Sequence, residues 1–302
     1  MSFASAVIML RPAAFGFNPE TAETNAFQRA QAAPEAVARR ARAEVEAMAA
    51  ALDRAGVAVE LWEDTPSPIK PDAPFVNNWL STHADGQVHL YPMATPSRRA
   101  EVRRDLVSSL AERFVIAEVI DWRARARADQ ALEGTGSLVL DGDRGEVFAC
   151  RSARTDPDLA RAWADARGLR LRLFNAADRG GAAIYHTNVV LSLGAGVSLC
   201  GLERIAAVDR STIAAALAER GPIVRLSAAQ LDAFAGNMLQ LVDRRGAPHM
   251  VLSTTALASL AADQRRLLER HTALLPVDVS TIEAAGGGSA RCLLAENFLP
   301  RR

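Results

Sequence analysis

Cysteine is scarce in this sequence, and the few cysteines that it contains lie far apart. The 302 residues include three, Cys150, Cys200 and Cys292, and no CxxC pair. An odd number at wide spacing fits neither a disulfide framework nor a structural zinc site. The sequence therefore predicts a reducing, cytoplasmic setting and gives no indication of a bound metal.

Net charge and long apolar runs are also missing. The 35 Lys and Arg residues balance the 35 Asp and Glu residues, so the formal net charge is zero. This balance argues against a protein that binds nucleic acid or an anionic membrane surface. No apolar stretch approaches the roughly 18 residues that a membrane-spanning helix needs. A hydrophobic content of 49% is typical of a globular protein with a sizeable core.

No low-complexity linker divides the chain, so we expect a single domain over residues 1–302. A proline-rich stretch, Asp64–Pro74, is short and is typical of a loop. Helical patterns, with apolar residues three and four positions apart, recur along the sequence. They cover Glu35–Arg54, Ser97–Arg113, Pro157–Ala166, Arg210–Arg220 and Ala256–His271.

Short strand patterns lie between the predicted helices. They read AVIML, VAVELW, VHLYP, SLVL, EVFAC, LRLRLF, VVLSL, PIVRL, MLQLV and HMVLS. Turn-rich segments at Asp141–Gly145 and Asp243–Pro248 each join two of these strands as a predicted hairpin. The unit of one helix and several strands recurs about five times, at roughly 50 to 60 residues. This pattern favours a propeller-like array and disfavours a Rossmann sheet.

Three consecutive glycines, Gly286–Gly288, come shortly before Cys292 in the stretch GGGSARC. A glycine run lets the backbone approach another group closely and leaves amides free to donate hydrogen bonds. A free thiol is most often a small buried apolar group, and Cys292 heads the apolar run CLLAENFLP. By itself the stretch leaves both a core thiol and a nucleophile open.

Glu133 and His186 stand at the ends of two other strand patterns. Asn188 follows two residues after His186, so the two side chains share one face of an extended chain. Carboxylates are rarely buried unless paired, so Glu133 is either an exposed turn residue or part of a polar site. His186 is either a satisfied core histidine or a functional one. With Cys292, these residues offer a nucleophile, a proton shuttle and an orienting carboxylate.

Further polar residues cluster in PDAPFVNNW, TPSRRAE and CRSARTD. These segments contain Asp72, Phe75, Asn78, Arg98 and Arg154. The planar fork of arginine suits carboxylate recognition because it donates two parallel hydrogen bonds. Each arginine taken alone is equally typical of a solvated surface charge.

The ordered set of these motifs resembles the guanidine-modifying, or pentein, superfamily. Within it, the chain is most similar to the arginine-deiminase-related proteins called citrulline utilization hydrolases. The resemblance covers nearly the whole sequence, from RPAAFGFNPETAETNAFQ through LEGTGSLVL, YHTNVVLSLG and FAGNML to GGGSARCLLAENFLP. It implies an α/β fold, a five-bladed α/β-propeller with pseudo-fivefold repeats, and a site in the central channel that needs no cofactor.

The resemblance also implies a role for each site residue. Cys292 matches the nucleophile, His186 the general acid/base and Glu133 its acidic partner. The expected substrate-binding residues are Asp72, Phe75, Asn78, Arg98, Arg154 and Asn188. The stretch EGTGS departs from the EGGD of the wider superfamily, which leaves the roles of residues 134–137 open.

Asparagines replace carboxylates at two positions of the wider superfamily, Asn78 and Asn188. Acidic groups there would grip a cationic guanidinium, whereas an amide is uncharged and both donates and accepts hydrogen bonds. The two amides therefore favour a neutral ureido group. Of the other contacts, Arg154 would bind the α-carboxylate with Arg98 as a second clamp, and Asp72 would bind the amino-acid end.

The expected reaction is hydrolysis of citrulline to ornithine, ammonia and carbon dioxide through a covalent adduct on Cys292. An imidazolium at His186 would lower the pKa of that thiol. The alternatives are an arginine deiminase or dimethylarginine hydrolase, an amidinotransferase, and a non-catalytic pentein that binds a large partner. The expected partner is a small citrulline-like amino acid, neither nucleic acid nor membrane, and homo-oligomer formation stays open. Cys150 and Cys200 are interpreted as core residues.

Overall fold

Fifteen strands organise the part of the chain that the computed structural model describes, residues 3–302. They are β1 (Ala6–Arg11), β2 (Ala58–Glu63), β3 (Leu80–Thr82), β4 (Gln87–Leu90), β5 (Glu118–Asp121), β6 (Leu138–Asp141), β7 (Glu146–Cys150), β8 (Arg170–Phe174), β9 (Leu191–Gly194), β10 (Val197–Cys200), β11 (Ile223–Arg225), β12 (Leu239–Val242), β13 (Pro248–Ser253), β14 (Ala273–Val277) and β15 (Ala295–Glu296).

The helices of the described residues are mostly short. They are α1 (Pro19–Ala22), α2 (Pro34–Arg54), α3 (Pro96–Arg99), α4 (Arg104–Leu110), α5 (Gly134–Ser137), α6 (Pro157–Ala166), α7 (Ala207–Ala218), α8 (Ala228–Asp232), α9 (Thr254–Ser259), α10 (Ala262–Glu269) and α11 (Ser280–Gly286). Five 3₁₀ helices cover Val76–Asn78, Trp122–Ala124, Thr187–Val189, Leu202–Arg204 and Ala290–Leu293.

The strands form five three-stranded sheets of one topology. Four sheets are consecutive in sequence, β3–β4–β5, β6–β7–β8, β9–β10–β11 and β12–β13–β14. In each, the first two strands are antiparallel and the last two are parallel. The remaining sheet joins distant parts of the chain, since β15 pairs antiparallel with β1, and β1 pairs parallel with β2.

Crossover helices connect the parallel strands, because a parallel pair cannot be joined by a tight turn. Helices α2, α4, α6 and α7, and the pair α9 and α10, each lie between the parallel strands of one sheet. The antiparallel pairs β6–β7 and β12–β13 confirm both predicted hairpins. Five sheets of this kind confirm the predicted α/β fold with a repeat of about 50 to 60 residues.

Helix α2 shows how the repeat is packed. Pro34 occupies its first turn, where a missing N–H costs nothing, and buried apolar residues then recur at helical spacing. They are Val37, Ala41, Val45, Met48, Ala49 and Leu52. This face packs on β1 and β2 and against α11, the helix that leads into the glycine run.

Two of the five predicted helices are wrong, because each is a pair of short helices. The segment Ser97–Arg113 breaks after α3, where Glu101 turns inward and its carboxylate accepts hydrogen bonds of 3.1 and 2.9 Å from Arg98. The segment Ala256–His271 breaks at Leu260, which is extended (φ −71°, ψ 136°) and buried. Burial of these side chains outweighs helical propensity. Helices α2, α6 and α7 confirm the other three predictions.

The sequence patterns did not predict β3, β5, β10, β14 or β15. Strands β3 and β15 are only three and two residues long, and β5 is half exposed, so their periodicity is weak. The run VVLSL was predicted entirely as strand, but its first residue ends a 3₁₀ helix and the strand begins at Leu191. That helix turns the chain sharply just before the sheet.

Apolar side chains fill the space around and between the sheets in four buried clusters. Cys150 and Cys200 are fully buried in one of them, as predicted, and burial raises the pKa of each thiol to about 12. Within residues 3–302, no helix combines the length and the apolar content that crossing a bilayer requires.

Candidate active site

The nine predicted site residues lie together. Seven line one small cavity of about 10 Å³, here called the substrate cavity: Asp72, Phe75, Asn78, Arg98, Arg154, His186 and Cys292. Glu133 lies behind His186, with its Oε2 2.8 Å from Nε2 of the imidazole. Asn188 contacts the nucleophile candidate, with its Nδ2 3.8 Å from Sγ of Cys292.

Each sheet delivers a polar residue from the same position, just ahead of its first strand. Asn78 precedes β3, Glu133 precedes α5 and β6, and Asn188 precedes β9. Asn237 precedes β12, and Cys292 precedes β15. The fivefold repeat of the backbone therefore brings five polar side chains, three of them asparagines, to one end of the sheets.

Asn237 is the site residue that sequence reasoning did not single out. Its Nδ2 lies 3.2 Å from Sγ of Cys292 and 3.0 Å from the carbonyl oxygen of Asn188. Its Oδ1 accepts a hydrogen bond of 3.1 Å from the backbone N–H of Arg291. A signal was present, because an asparagine shortly before a leucine recurs in NNWL, TNVVL and GNML.

The thiol of Cys292 is almost fully buried. Burial raises its pKa above the ordinary value, and a backbone hydrogen bond at Ser289 and the amide of Asn237 offset this only in part. A buried thiol without enough nearby positive charge stays protonated at neutral pH. The resting site therefore holds a thiol and not a thiolate.

His186 and Glu133 form a buried pair. Burial lowers the pKa of His186 to about 4, although the carboxylate acts in the opposite direction, so the imidazole is neutral at pH 7. The imidazolium that the sequence led us to expect beside the thiol is therefore absent from the resting site. Burial acts to raise the pKa of Glu133, but Arg154, Arg98 and His186 outweigh it, so the carboxylate is ionised.

Arg98 is fully buried, and its hydrogen bonds go to protein groups. Its Nε and Nη2 bind the carboxylate of Glu101, and Nη1 lies 2.8 Å from Oδ1 of Asn78 and 3.2 Å from Oε2 of Glu133. Burial acts to lower its pKa, but Glu101, Glu133 and Asp72 raise it, so the guanidinium stays charged. A guanidinium can only donate hydrogen bonds, so the group of Asn78 that faces Arg98 must be the amide oxygen. Arg98 thus fixes the orientation of the Asn78 amide.

Arg154 lines the substrate cavity and is hydrogen-bonded to the segment that contains α1. Its Nε and Nη2 donate to the hydroxyl of Thr24, and Nη2 donates to the carbonyl oxygen of Thr21. Its guanidinium carbon stands 4.9 Å from the ring centre of Tyr185. Its Nη1 is 3.7 Å from Oε2 of Glu133, beyond hydrogen-bond distance. This nitrogen is the part of Arg154 best placed to meet a ligand.

Asp72 has one satisfied and one unsatisfied carboxylate oxygen. Its Oδ2 accepts hydrogen bonds of 2.8 Å from Asn18 and 3.1 Å from Thr21. Its Oδ1 is buried and has no hydrogen-bond partner among the described residues. Buried polar atoms are seldom left unpaired, so this oxygen is a candidate acceptor for a cationic ligand group.

The glycine run shapes the wall beside the nucleophile. Gly287 caps α11 with φ +63°, a left-handed conformation that glycine adopts without strain. A Cβ on Gly288 would stand 2.8 Å from the ring of Phe75. The run therefore lets the backbone pass against Phe75 and turn into the 3₁₀ helix that carries Cys292.

Within residues 3–302, no group of three or more His, Cys, Asp or Glu side chains is placed to hold a metal ion. The described site instead offers a sulfur nucleophile, an imidazole held by a carboxylate, and charged groups for a small polar molecule. This arrangement suits covalent attack on an electrophilic carbon.

The sequence matches one family model over almost its whole length. The model describes eukaryotic N,N-dimethylarginine dimethylhydrolase and matches residues 11–299. No curated protein sequence matches the chain.

Solved structures of low sequence identity share the fold. The substrate-bound N-terminal domain of ArgZ, an arginine dihydrolase from the ornithine-ammonia cycle in Cyanobacteria, superposes with a TM-score of 0.76 at 15% identity, covering 96% of each chain. DDAH from Pseudomonas aeruginosa, complexed with citrulline, has a TM-score of 0.68 at 15% identity, covering 98% of this chain and 100% of that chain. The chain spans only 40% of the length of apo ArgZ. These likenesses confirm the predicted pentein fold.

Proposed function

Because the chain belongs to the N,N-dimethylarginine dimethylhydrolase family, we propose that it is a cysteine-dependent hydrolase of a guanidinium C–N bond in a free arginine-like amino acid. The proposal departs from the citrulline reaction that the sequence led us to expect. Family membership favours a guanidinium substrate, and so does the electrostatics of the site.

The protonation state of Cys292 is the observation that carries this proposal. Its thiol is buried with a raised pKa, and the neighbouring His186 is neutral at pH 7. A nucleophilic thiolate therefore needs a positive charge that the resting site does not supply. A guanidinium bound beside Sγ supplies that charge and lowers the pKa of the thiol, whereas a neutral ureido group does not.

The reaction then needs one proton to be relayed. As Sγ of Cys292 attacks the guanidinium carbon, its proton passes to His186, which returns it to the departing nitrogen. The C–N bond breaks and ammonia, or an alkylamine from a methylated substrate, leaves. Water next adds to the same carbon and loses one proton to His186. The C–S bond breaks as His186 returns this proton to Sγ, the second proton of the water passes to the released ammonia or solvent, and the product carries a ureido group. Glu133 stabilises the transient imidazolium.

Arg154 and Asp72 are proposed to bind the amino-acid end of the substrate. Nη1 of Arg154 would meet the α-carboxylate, and the unpaired Oδ1 of Asp72 would accept from the α-ammonium group. A cavity of about 10 Å³ has room for about one water molecule, so the substrate enters only when the walls move apart. The wall formed by residues 18–28 is the candidate for this movement, since it packs on both groups.

Hydrolysis of citrulline is the second candidate, and Asn78 favours it. Its Oδ1 is held by Arg98, so the amide can offer only N–H to the cavity. An N–H donor complements a ureido oxygen, whereas a guanidinium has no acceptor to match it. ArgZ is described as an arginine dihydrolase. A chain that hydrolysed first the guanidinium and then the resulting ureido group would use both the protonated Cys292 and the N–H donor of Asn78.

Product analysis with four substrates tests these proposals. Arginine, monomethylarginine, dimethylarginine and citrulline are incubated separately, with Cys292→Ala as the blank, and ammonia, alkylamine, citrulline and ornithine are quantified. We expect citrulline to form from at least one guanidinium substrate. Turnover of citrulline alone would replace the first proposal by the second, and no turnover of any substrate would overturn both.

Asn78→Asp sharpens the choice between the candidates. A carboxylate at this position would strengthen binding of a guanidinium and weaken binding of a ureido group, because charge-assisted hydrogen bonds are roughly twice as strong as neutral ones. We expect the ratio of kcat/KM for arginine to that for citrulline to rise. A fall in this ratio would contradict the role given to the amide.

A further inference from the structure

A second and larger cavity lies beyond Asn188, the residue whose amide contacts Sγ of Cys292 in the substrate cavity. Its volume is about 330 Å³, and we call it the far cavity. It is lined by the first strands of all five sheets and by the segments that follow them, with Asn188, Ser192 and Gln240 among its buried residues. At its other end, Ala84 and Gly142 are exposed to solvent. The far cavity therefore runs from Asn188, whose amide nitrogen lies 3.8 Å from Sγ of Cys292, to the protein surface.

Unpaired polar atoms are concentrated on the walls of the far cavity. Five such atoms have no hydrogen-bond partner among the described residues: Oδ2 of Asp141, Oδ1 of Asn188, Oγ of Ser192, Nε of Arg220 and Oε1 of Gln240. Buried polar groups need a partner, so the cavity is filled by water or another small polar molecule. Its volume is enough for on the order of ten waters.

Acceptors predominate along this path. Oδ1 of Asn188 lies just ahead of β9, Oε1 of Gln240 is on the second residue of β12, and Asp141 ends β6 beside the exposed Gly142. The carboxylate of Asp141 is paired with Arg220, so the acceptors suit the N–H and O–H donors of uncharged ammonia and water. Ser192 adds a hydroxyl that serves as donor or acceptor.

The two cavities are separated by little more than one side chain. Asn188 lines the far cavity and also lies 3.8 Å from Sγ of Cys292, which lines the substrate cavity. Thr135 stands beside it, within 3.4 Å of Asn77. When a substrate fills the substrate cavity, its own chain and the wall of residues 18–28 close that side. The nearest open volume for a small molecule formed at Sγ is then the far cavity.

We propose that the far cavity is the exit route for the ammonia that hydrolysis releases, and the entry route for the water that replaces it. This inference rests on the proposed hydrolase function. The C–N bond breaks at the carbon bound to Sγ, the departing nitrogen leaves as ammonia past Asn188, and a water takes its place before the C–S bond is hydrolysed.

Blocking the far cavity without touching the catalytic residues tests this route. Ser192→Leu adds bulk and removes a hydroxyl inside the cavity, and Ser192→Ala removes the same hydroxyl without adding bulk. Ala84→Trp narrows the exposed mouth, where a folding defect is not expected. The thermal midpoint of each variant is measured first, and Ala84→Trp decides the matter if Ser192→Leu is unfolded.

Isotope exchange gives a readout that a general loss of activity does not imitate. The enzyme turns over arginine in ¹⁵N-ammonium buffer, where labelled ammonia that reaches the covalent intermediate regenerates labelled arginine. The ratio of the rate of labelled arginine formation to the amount of covalent Cys292 adduct present in the steady state is measured, together with kcat and KM. We expect the plugged variants to lower this ratio by about tenfold and to lower kcat with little change in KM, and Ser192→Ala to resemble wild type.

Two further outcomes separate the inference from the function on which it rests. A folded Ser192→Leu or Ala84→Trp variant with the wild-type label ratio and kcat would overturn the exit route and leave the hydrolase proposal standing. Absence of turnover by the wild-type protein with every substrate would overturn the function, and the route with it.

Discussion

The two ends of the same five strands differ in how their polar groups are satisfied. At the substrate cavity, Arg98 has a partner for each guanidinium nitrogen and Glu133 for both carboxylate oxygens, in a space of about 10 Å³. At the far cavity, five polar atoms lack a partner among residues 3–302, around a volume of about 330 Å³. A tight network orients groups for chemistry, whereas loose polar walls hold exchangeable water. One repeated backbone thus produces an end where Arg98 and Glu133 are held by protein groups and an end whose polar walls can be solvated by water.

The largest effect is expected from removing the proposed nucleophile, Cys292, at the substrate cavity. Cys292→Ala should lower kcat at least about 10⁴-fold, because no covalent adduct can form. Cys200→Ala is the matched control, since that thiol is buried in the core and lines neither cavity. Ammonia release and mass spectrometry of the adduct report the result. Full activity in Cys292→Ala would remove the covalent mechanism.

A buried ion pair at each end allows a direct comparison. Glu133→Gln should lower kcat about 10³-fold and destabilise the fold by about 3–5 kcal/mol, because Arg98 and Arg154 lose a counter-charge in a dry site. Asp141→Asn breaks the pair with Arg220 at the far cavity, where water can solvate the arginine. Urea unfolding should show a smaller loss there. Equal losses of unfolding free energy in Glu133→Gln and Asp141→Asn would contradict the inference that water solvates the far cavity but not the substrate cavity.

Asn237→Asp tests the amide that contacts the sulfur. The variant keeps an acceptor for the backbone N–H of Arg291 but replaces the donor to Sγ by a carboxylate oxygen. We expect the pKa of Cys292 to rise and kcat/KM to fall by about 10²-fold. Gln240→Glu, the same exchange in the far cavity, serves as the control. The pH dependence of thiol alkylation should shift upward in Asn237→Asp only.

The smallest effect concerns acid stability. Burial lowers the pKa of His186 at the substrate cavity to about 4, and burial likewise lowers that of His83 at the far cavity to about 4. Their unfolded pKa lies near 6.5, so the unfolded state binds more protons between pH 6.5 and 4, and stability falls as the pH decreases through this range. Each histidine should lower the free energy of unfolding by about 1–2 kcal/mol at pH 5.

Urea unfolding at pH 7 and pH 5 measures the total loss, to which His89 also contributes because burial lowers its pKa to about 3. His83→Gln should reduce this loss by removing one of the three groups. Water in the far cavity can solvate the protonated imidazole of His83. His83 should therefore contribute no more than His186 to the loss of stability at pH 5. A stability that rises on acidification would contradict both assignments.

The sequence predicted the parts of the fold whose periodicity is long, such as helix α2. It also singled out Cys292, His186 and Glu133 by their chemistry, and the fold brings these three together, although their roles stay a prediction. Glu101 does not, since it follows two arginines in what reads as a surface helix, yet it is buried against Arg98. Only the folded chain brings such groups inside.

Contacts between distant segments explain most of the other omissions. Asn18 meets Asp72 across 54 positions, and Asn237 meets Cys292 across 55. Asparagine is common in turns, so neither residue carries a local signal of function. The equivalent positions of the repeat would have indicated Asn237, but that equivalence depends on strand starts, which were the least certain part of the sequence interpretation.

The pairing of β15 with β1 sets an order of events during synthesis. Val7 is translated well before its antiparallel partner Glu296, with 288 residues made between the two. Cys292 lies in the same late segment as Glu296, whereas Glu133 and His186 are translated long before it. A nascent chain therefore carries no assembled site. The thiol of Cys292 gains its partners only when β15 pairs with β1.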